Sequence, residues 1–239
     1  MRGVRVTIGM EGFILAAGLG TRLRPLTNDR PKALVEVDGR TLLDICIHRL
    51  ADAGIRHIVV NVHHFGDMVI DYLHSRQWPC EVEVSDERAM LLDTGGALRK
   101  AAPLFSGVDT VLVHNVDVLS KIDLRAVALK HESDGNLATL CVSHRHNKRS
   151  LIFDNSGRLV RRASEGEEGL AFSGISVVSP ELFTLLPKAD HPFPIIDEYI
   201  RLTATYRIGY FMHEAADWLD VGKPETLAEA QQWNLSSSK

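Results

Sequence analysis

Cysteine is scarce in this chain. Cys46, Cys80 and Cys141 are the only three in 239 residues, and no two of them form a CxxC pair. That excludes a disulfide framework and points to a reduced, cytoplasmic protein. A basic excess is missing too: 27 Lys and Arg stand against 31 Asp and Glu, a formal net charge of −4. A general nucleic-acid binder carries the opposite imbalance, so no nucleic-acid partner is expected, and any phosphate must be met by local cations. No apolar run approaches the roughly twenty residues that span a bilayer. The opening MRGVRVTIGM also lacks a secretory apolar core and cleavage site, so neither a membrane partner nor an export signal is expected. With no GxSxG elbow and no catalytic-cysteine pattern, hydrolysis through a covalent enzyme intermediate has little support.

Two familiar phosphate loops are also absent. The dinucleotide fingerprint needs a third glycine where Leu23 stands, and no Gly-Lys-Ser/Thr closes a P-loop. What is present is the stretch from Gly12 to Leu34. Phe13-Ile14-Leu15-Ala16 suits a buried strand, and it runs into the small residues Ala17-Gly18-Leu19-Gly20-Thr21, which let another group approach the backbone. Arg22, Arg24, Arg30 and Lys32 follow at once. A strand, a loop with free backbone N–H groups and a concentration of cations together suit a polyphosphate. Gly18-x-Gly20 alone is equally an ordinary tight turn.

The rest of the chain alternates. Thr41 caps a helix carrying Leu42, Leu43, Cys46 and Leu50, with Gly54 as its stop. His57–Val62 reads as a buried strand, Phe65 to Leu73 as an amphipathic helix and Glu81-Val82-Glu83-Val84 as a strand near an edge. The order β-α-β-α-β predicts an α/β fold: a mixed, mostly parallel central sheet with helices on both faces, and ligands beyond the carboxyl ends of its strands. Val111–Val118 is predicted as one apolar strand with Asp117 near its end, where a carboxylate serves equally well to bond a loop backbone. Ser85–Ala97 is expected as a loop leading into a helix near Leu98–Ala102. In the second half, Asp154-Asn155-Ser156-Gly157 signals a hairpin, Ser164–Gly169 a polar mobile stretch, Ala171–Val178 a core strand and Pro194–Thr203 a helix. His63-His64 and His144-x-His146 have no matching ligand spacing and read as surface or core histidines.

The string Leu15-Ala16-Ala17-Gly18-x-Gly20-Thr21-Arg22-Leu23-x-Pro25-Leu26-Thr27, followed by Pro31-Lys32-x-Leu34, resembles the signature of the sugar-1-phosphate nucleotidyltransferases. These enzymes join a nucleoside triphosphate to a sugar 1-phosphate and release pyrophosphate. The resemblance implies a single-domain, Rossmann-like nucleotide-diphospho-sugar transferase fold over residues 10–235, with 1–9 as an N-terminal extension and 236–239 as a frayed tail. It implies Arg22, Lys32 and Asp117 as catalytic residues. It places the nucleotide against Leu15, Ala16, Ala17, Gly18, Gly20 and Thr21, with the base near Glu87 and Thr94-Gly95-Gly96. Asn115, Gly174 and Glu198 would meet the sugar, and Asp117 and Asp220 would hold Mg²⁺.

This chain departs from the family pattern in three places. Val116 stands where the family usually has Gly, which would strain a backbone of positive φ. Lys223 replaces a common Thr. The usual lysine for the sugar phosphate is not identifiable, and the run His144–Arg149, with Arg145, Lys148 and Arg149, is either a solvated loop or its substitute. The partners implied are UTP or GTP and a sugar 1-phosphate. Within the family the pattern most resembles N-acetylmuramate 1-phosphate uridylyltransferases. Mannose- and heptose-1-phosphate guanylyltransferases are rivals, and a glucose-1-phosphate thymidylyl- or uridylyltransferase is a third reading. A glycosyltransferase or a non-catalytic nucleotide-sugar-binding homologue would be the alternatives from other classes, and oligomeric state is left open.

Overall fold

The computed structural model describes residues 9–105, 107–145, 149–188 and 191–233. The expected extension (apart from Gly9), the fraying tail, His146 and Lys148 lie outside them. The first half runs β1 (Met10–Leu15), a short hairpin of β2 (Glu36–Val37) and β3 (Arg40–Thr41), α1 (Leu42–Asp52), β4 (His57–Val62), α2 (Gly66–His74), β5 (Glu81–Asp86) and α3 (Asp93–Ala101). The second half begins with β6 (Thr110–Asn115), β7 (Val118–Ser120), α4 (Leu124–Ser133), β8 (Ala138–Ser143) and the pair β9 (Leu151–Phe153) and β10 (Leu159–Arg162). It ends with β11 (Ala171–Val178), α5 (Glu181–Leu185), α6 (Ile195–Leu202), β12 (Ile208–Met212), β13 (Trp218–Asp220) and α7 (Pro224–Ala230).

Seven strands form one sheet in the order β12-β8-β11-β6-β1-β4-β5. β6, β1, β4 and β5 pair in parallel, as do β12 and β8, while β11 runs antiparallel to both its neighbours. Strand side chains alternate between faces, and β1 shows the consequence. Phe13 and Ile14, both fully buried, enter different cores. Ile14 packs with residues of α1, α2, α4 and α7. Phe13 packs with α3, α5 and α6. Both faces are therefore covered by helices, as the alternating pattern predicts.

Local chemistry fixes the ends of these elements. Thr41 Oγ1 accepts the Asp44 amide at 3.1 Å and starts α1, and Asp123 accepts the amides of Arg125 and Ala126 to start α4. The Asp154–Gly157 turn joins β9 to β10, with Asp154 Oδ1 accepting the amides of Ser156 and Arg158. Among the described residues no helix is long and apolar enough to cross a membrane.

Two sequence expectations need correction. Val111–Val118 is not one strand: β6 stops at Asn115, the chain turns through Val116 and Asp117, and β7 pairs instead with β13. The second correction concerns α3, which starts at Asp93 rather than near Leu98, so Thr94-Gly95-Gly96 lies in its first turn. Glycines ordinarily disfavour a helix. Here the Gly95 and Gly96 amides both donate to the Phe193 carbonyl, and a Cβ on Gly95 would fall 2.5 Å from the Phe193 ring.

Candidate active site

β1, β4 and β6 all end at the same edge of the sheet, and the chain uses the three strand ends differently. After β1 the backbone opens into residues 16–20. Asn61, opposite Leu15 on β4, receives the amides of Ala16 and Ala17 on its Oδ1 at 2.6 and 3.2 Å. The Asn61 Nδ2 donates to Glu87 Oε1 at 2.9 Å, and Glu87 Oε2 accepts the Leu92 amide. Glu87 has no exposed surface, and burial raises its pKa against the opposing pull of those two hydrogen bonds.

Gly20 then turns in the left-handed region at φ 64, which only glycine adopts readily. A Cβ there would sit 3.1 Å from both Lys32 Cβ and Thr27 Cγ2, so the glycine also lets the second signature segment close on the first. Thr27 Oγ1 donates to the Gly20 carbonyl and holds the closure. Lys32 is buried and ion-paired to Asp117.

Asp117 owes its place to the turn after β6. The Val116 amide donates to the Leu15 carbonyl, and the Asp117 carbonyl accepts the Val221 amide at 2.8 Å. Because β7 pairs with β13 with Val118 opposite Asp220, two acids far apart in sequence end up side by side. Arg22 Nη2 approaches Asp220 Oδ2 at 3.9 Å. Burial, and then repulsion from Asp117, push the Asp220 carboxyl above its usual range, with Lys32 and Arg22 opposing them. Val116 is not among the positive-φ residues of the chain and is buried without strain.

Two cavities of about 570 Å³ each meet here and share Arg22, Asn115 and Asp117. Residues 15–18, Gly20, Thr21 and Thr94 line the first, together with Lys32. Gly174 and Asp220 line the second. Gly174 sits at φ 74 where β11 slips register against β8, and the Asn115 amide fills the space a Cβ would take. It thus both bulges the strand and seats Asn115.

Four expected site residues do not reach the cavities. Glu87 is wholly buried, with both carboxylate oxygens committed, and it braces the loop through Asn61. Gly95 and Gly96 are buried against Phe193 and Leu92, so their missing side chains make room for that packing. Glu198 lines neither cavity, and its carboxylate is held by Arg201 Nε at 2.8 Å. Conversely, Asn61 was missed. A lone amide inside the apolar run His57–Val62 is the signal that could have found it.

The donor set fits Mg²⁺. Asp117 and Asp220 present oxygens, and Asp220 Oδ1 is buried with no hydrogen-bond partner. Among the described residues no cluster of three or more His, Cys, Asp or Glu forms, so phosphates and water would have to complete the shell of such an ion.

The comparisons with known proteins agree with this geometry. The chain is 36% identical over 236 residues to the N-acetylmuramate alpha-1-phosphate uridylyltransferase of Caulobacter vibrioides, covering 92% of this chain and 94% of the relative. It is 30% identical to a mannose-1-phosphate guanyltransferase of Pichia angusta, covering 95% of this chain but 65% of that protein. A putative glucose-1-phosphate thymidylyltransferase of Bacillus anthracis superposes with a TM-score of 0.79 at 18% identity, over 96% of this chain and 97% of that one, and so shares the fold. The sequence model of the nucleotidyl transferase family matches residues 11–237, and with the signature residues gathered at the ends of β1 and β6, the chain belongs to that family.

Proposed function

We propose that this protein transfers uridylyl from UTP to N-acetylmuramate 1-phosphate, giving the nucleotide sugar and pyrophosphate. The observation that carries a nucleotidyl transfer is the convergence of two cation–acid pairs, Lys32 with Asp117 and Arg22 with Asp220, beside the Gly20 turn. The choice of base and sugar rests on the full-length likeness to the uridylyltransferase. The guanyltransferase likeness is lower and covers only part of that protein.

The attacking group is a phosphate oxygen of the sugar 1-phosphate, already ionised near neutral pH, so no strong general base is needed. The barrier to lower is repulsion between two anions brought into line. The backbone of residues 15–18 with Gly20 and Thr21 holds the triphosphate, and Asn61, by accepting the Ala16 and Ala17 amides, fixes the course of that loop. Lys32, held by Asp117, neutralises charge around the α-phosphate and the incoming phosphate. Arg22, whose side chain is 58% exposed, is placed to take the departing pyrophosphate on its planar fork. Asp117 and Asp220 would hold Mg²⁺, which supplies positive charge shared among the phosphate oxygens. Asn115, seated by Gly174, faces the sugar from the floor common to both cavities. The three cysteines are unpaired, and a reducing cytoplasm goes with this reading.

Pyrophosphate release from UTP, GTP, CTP and dTTP, each with a panel of sugar 1-phosphates and Mg²⁺, tests the reading. UTP with N-acetylmuramate 1-phosphate should give the highest kcat/KM. Faster turnover with GTP and mannose 1-phosphate would replace it, and transfer of a sugar to an acceptor without pyrophosphate release would overturn it.

A further inference from the structure

Arg145 is a half-buried guanidinium with no carboxylate within ion-pair distance among the described residues. It is nonetheless firmly held. Its Nε donates to Ser143 Oγ at 2.6 Å, and one Nη2 is shared between Ser173 Oγ at 3.1 Å and the Phe172 carbonyl at 3.3 Å. Its plane lies over the Trp218 ring, 3.4 Å from the centroid. The Trp218 indole donates to the Ser173 carbonyl at 2.6 Å, and Ser173 Oγ pairs with His213 Nε2, also at 2.6 Å. A side chain that ordinarily keeps much rotamer freedom is here fixed by a stack and three neutral acceptors. Nη1 makes no hydrogen bond among the described residues, so the free corner of the fork is left for a ligand.

Arg145 lines the second cavity, as does Arg149, and neither lines the first. The reacting phosphate has to sit where the cavities share Arg22 and Asp117, since that is where Lys32 and Asp220 also meet. Within the second cavity Arg145 stands beside Phe172, Ser173, Gly174 and Trp218 as well as Asp220, so its fork can meet the body of an acceptor bound there. Burial makes its charge costly, with the more distant Asp220 charge offsetting part of that cost, and a guanidinium matches the geometry of a carboxylate.

We propose that Arg145 is a specificity-determining residue that binds a carboxylate carried by the acceptor sugar, so that the second cavity selects acidic sugar 1-phosphates over neutral ones. The inference rests on the nucleotidyl-transfer reading above and deepens it. N-acetylmuramate carries such a carboxylate on an ether substituent. Ser143, Ser173 and Trp218 are positioning residues for the guanidinium.

The test compares N-acetylmuramate 1-phosphate with N-acetylglucosamine 1-phosphate, the same ring without the carboxylate-bearing ether, using UTP and Mg²⁺. The wild-type protein should favour the acidic sugar in kcat/KM. In Arg145→Gln the ratio of the two kcat/KM values should fall about 10- to 100-fold, the scale of a lost hydrogen bond to a charged group, and the loss should lie in KM. Arg145→Lys keeps the charge but loses the fork and should recover only part of the ratio. An unchanged ratio in a folded Arg145→Gln protein, or an equal loss with both sugars, overturns the proposal; equal loss would assign the guanidinium to the 1-phosphate. A wild-type protein that uses both sugars equally overturns it without any variant. If no sugar 1-phosphate yields pyrophosphate, the nucleotidyl-transfer reading itself has failed, which is a distinguishable result.

Discussion

Replacing Asn61 by Ala would remove the link between the nucleotide loop and the sheet. Three hydrogen bonds go with the side chain: two from the buried Ala16 and Ala17 amides at 2.6 and 3.2 Å, and one to the buried Glu87 carboxylate at 2.9 Å. None of these groups faces open water, so each is left short of a partner at about 1–3 kcal/mol, and the sum is roughly 3–9 kcal/mol. A typical domain has only about 5–15 kcal/mol of stability, so urea unfolding should show a large fall in midpoint. Glu87→Gln is the gentler companion. It keeps an acceptor for Asn61 and loses the bond from the Leu92 amide, a loss of about 1 kcal/mol. In both variants the KM for UTP should rise, because the loop is no longer held in its course. The ratio of kcat/KM for UTP over GTP should stay within about twofold, since Glu87 is sealed away from any base. A Glu87→Gln protein of unchanged stability whose UTP to GTP ratio moves tenfold would refute this assignment and restore Glu87 as a base reader.

Other consequences are simpler to state. Lys32→Ala should lower turnover about 100-fold or more, the scale of losing one placed charge from a phosphoryl-transfer site, and near-normal pyrophosphate release would contradict its role. Burial depresses both His114 and His131 to about 4 from an ordinary 6.5, against backbone or carboxylate influences that pull the other way. Each is neutral in the fold and takes its proton first in the unfolded chain, so stability is full above pH 6.5 and is lost as the pH falls toward 4. Between pH 7 and pH 5 each should cost about 2 kcal/mol. His131 bonds Thr139 and Ser179 and lines neither active-site cavity, so His131→Gln should flatten part of the slope in urea unfolding without touching nucleotide binding. An unchanged slope in that variant would contradict the assignment.

The architecture was legible because its signals are local. Apolar patterning marked β1, β4, α1 and α2, and Thr41 and the Asp154–Gly157 turn marked their own boundaries. The arginine, lysine and two aspartates were legible through motif resemblance. Their convergence was not, because it depends on β7 leaving the main sheet to pair with β13, a long-range choice no local pattern encodes. The packing of Gly95 and Gly96 was not legible for a related reason. Small residues permit close approach without saying what approaches, and at Gly95 it is Phe193, about a hundred residues later. The burial of Glu87 was not legible because a carboxylate after an edge strand looks exposed until its bonds with Asn61 and Leu92 are seen. Val116 was a needless concern: its backbone lies outside the positive-φ region that would have required glycine.

The account stands on Asp117 and Asp220 acting together on a magnesium-bound triphosphate. Calorimetric titration of UTP into the wild-type protein and into Asp220→Asn, each with Mg²⁺ and again with EDTA, tests that most directly. Wild-type affinity should fall at least tenfold when the metal is chelated, while the variant should bind weakly in both conditions. Tight UTP binding that ignores both EDTA and the loss of the Asp220 carboxylate would contradict it.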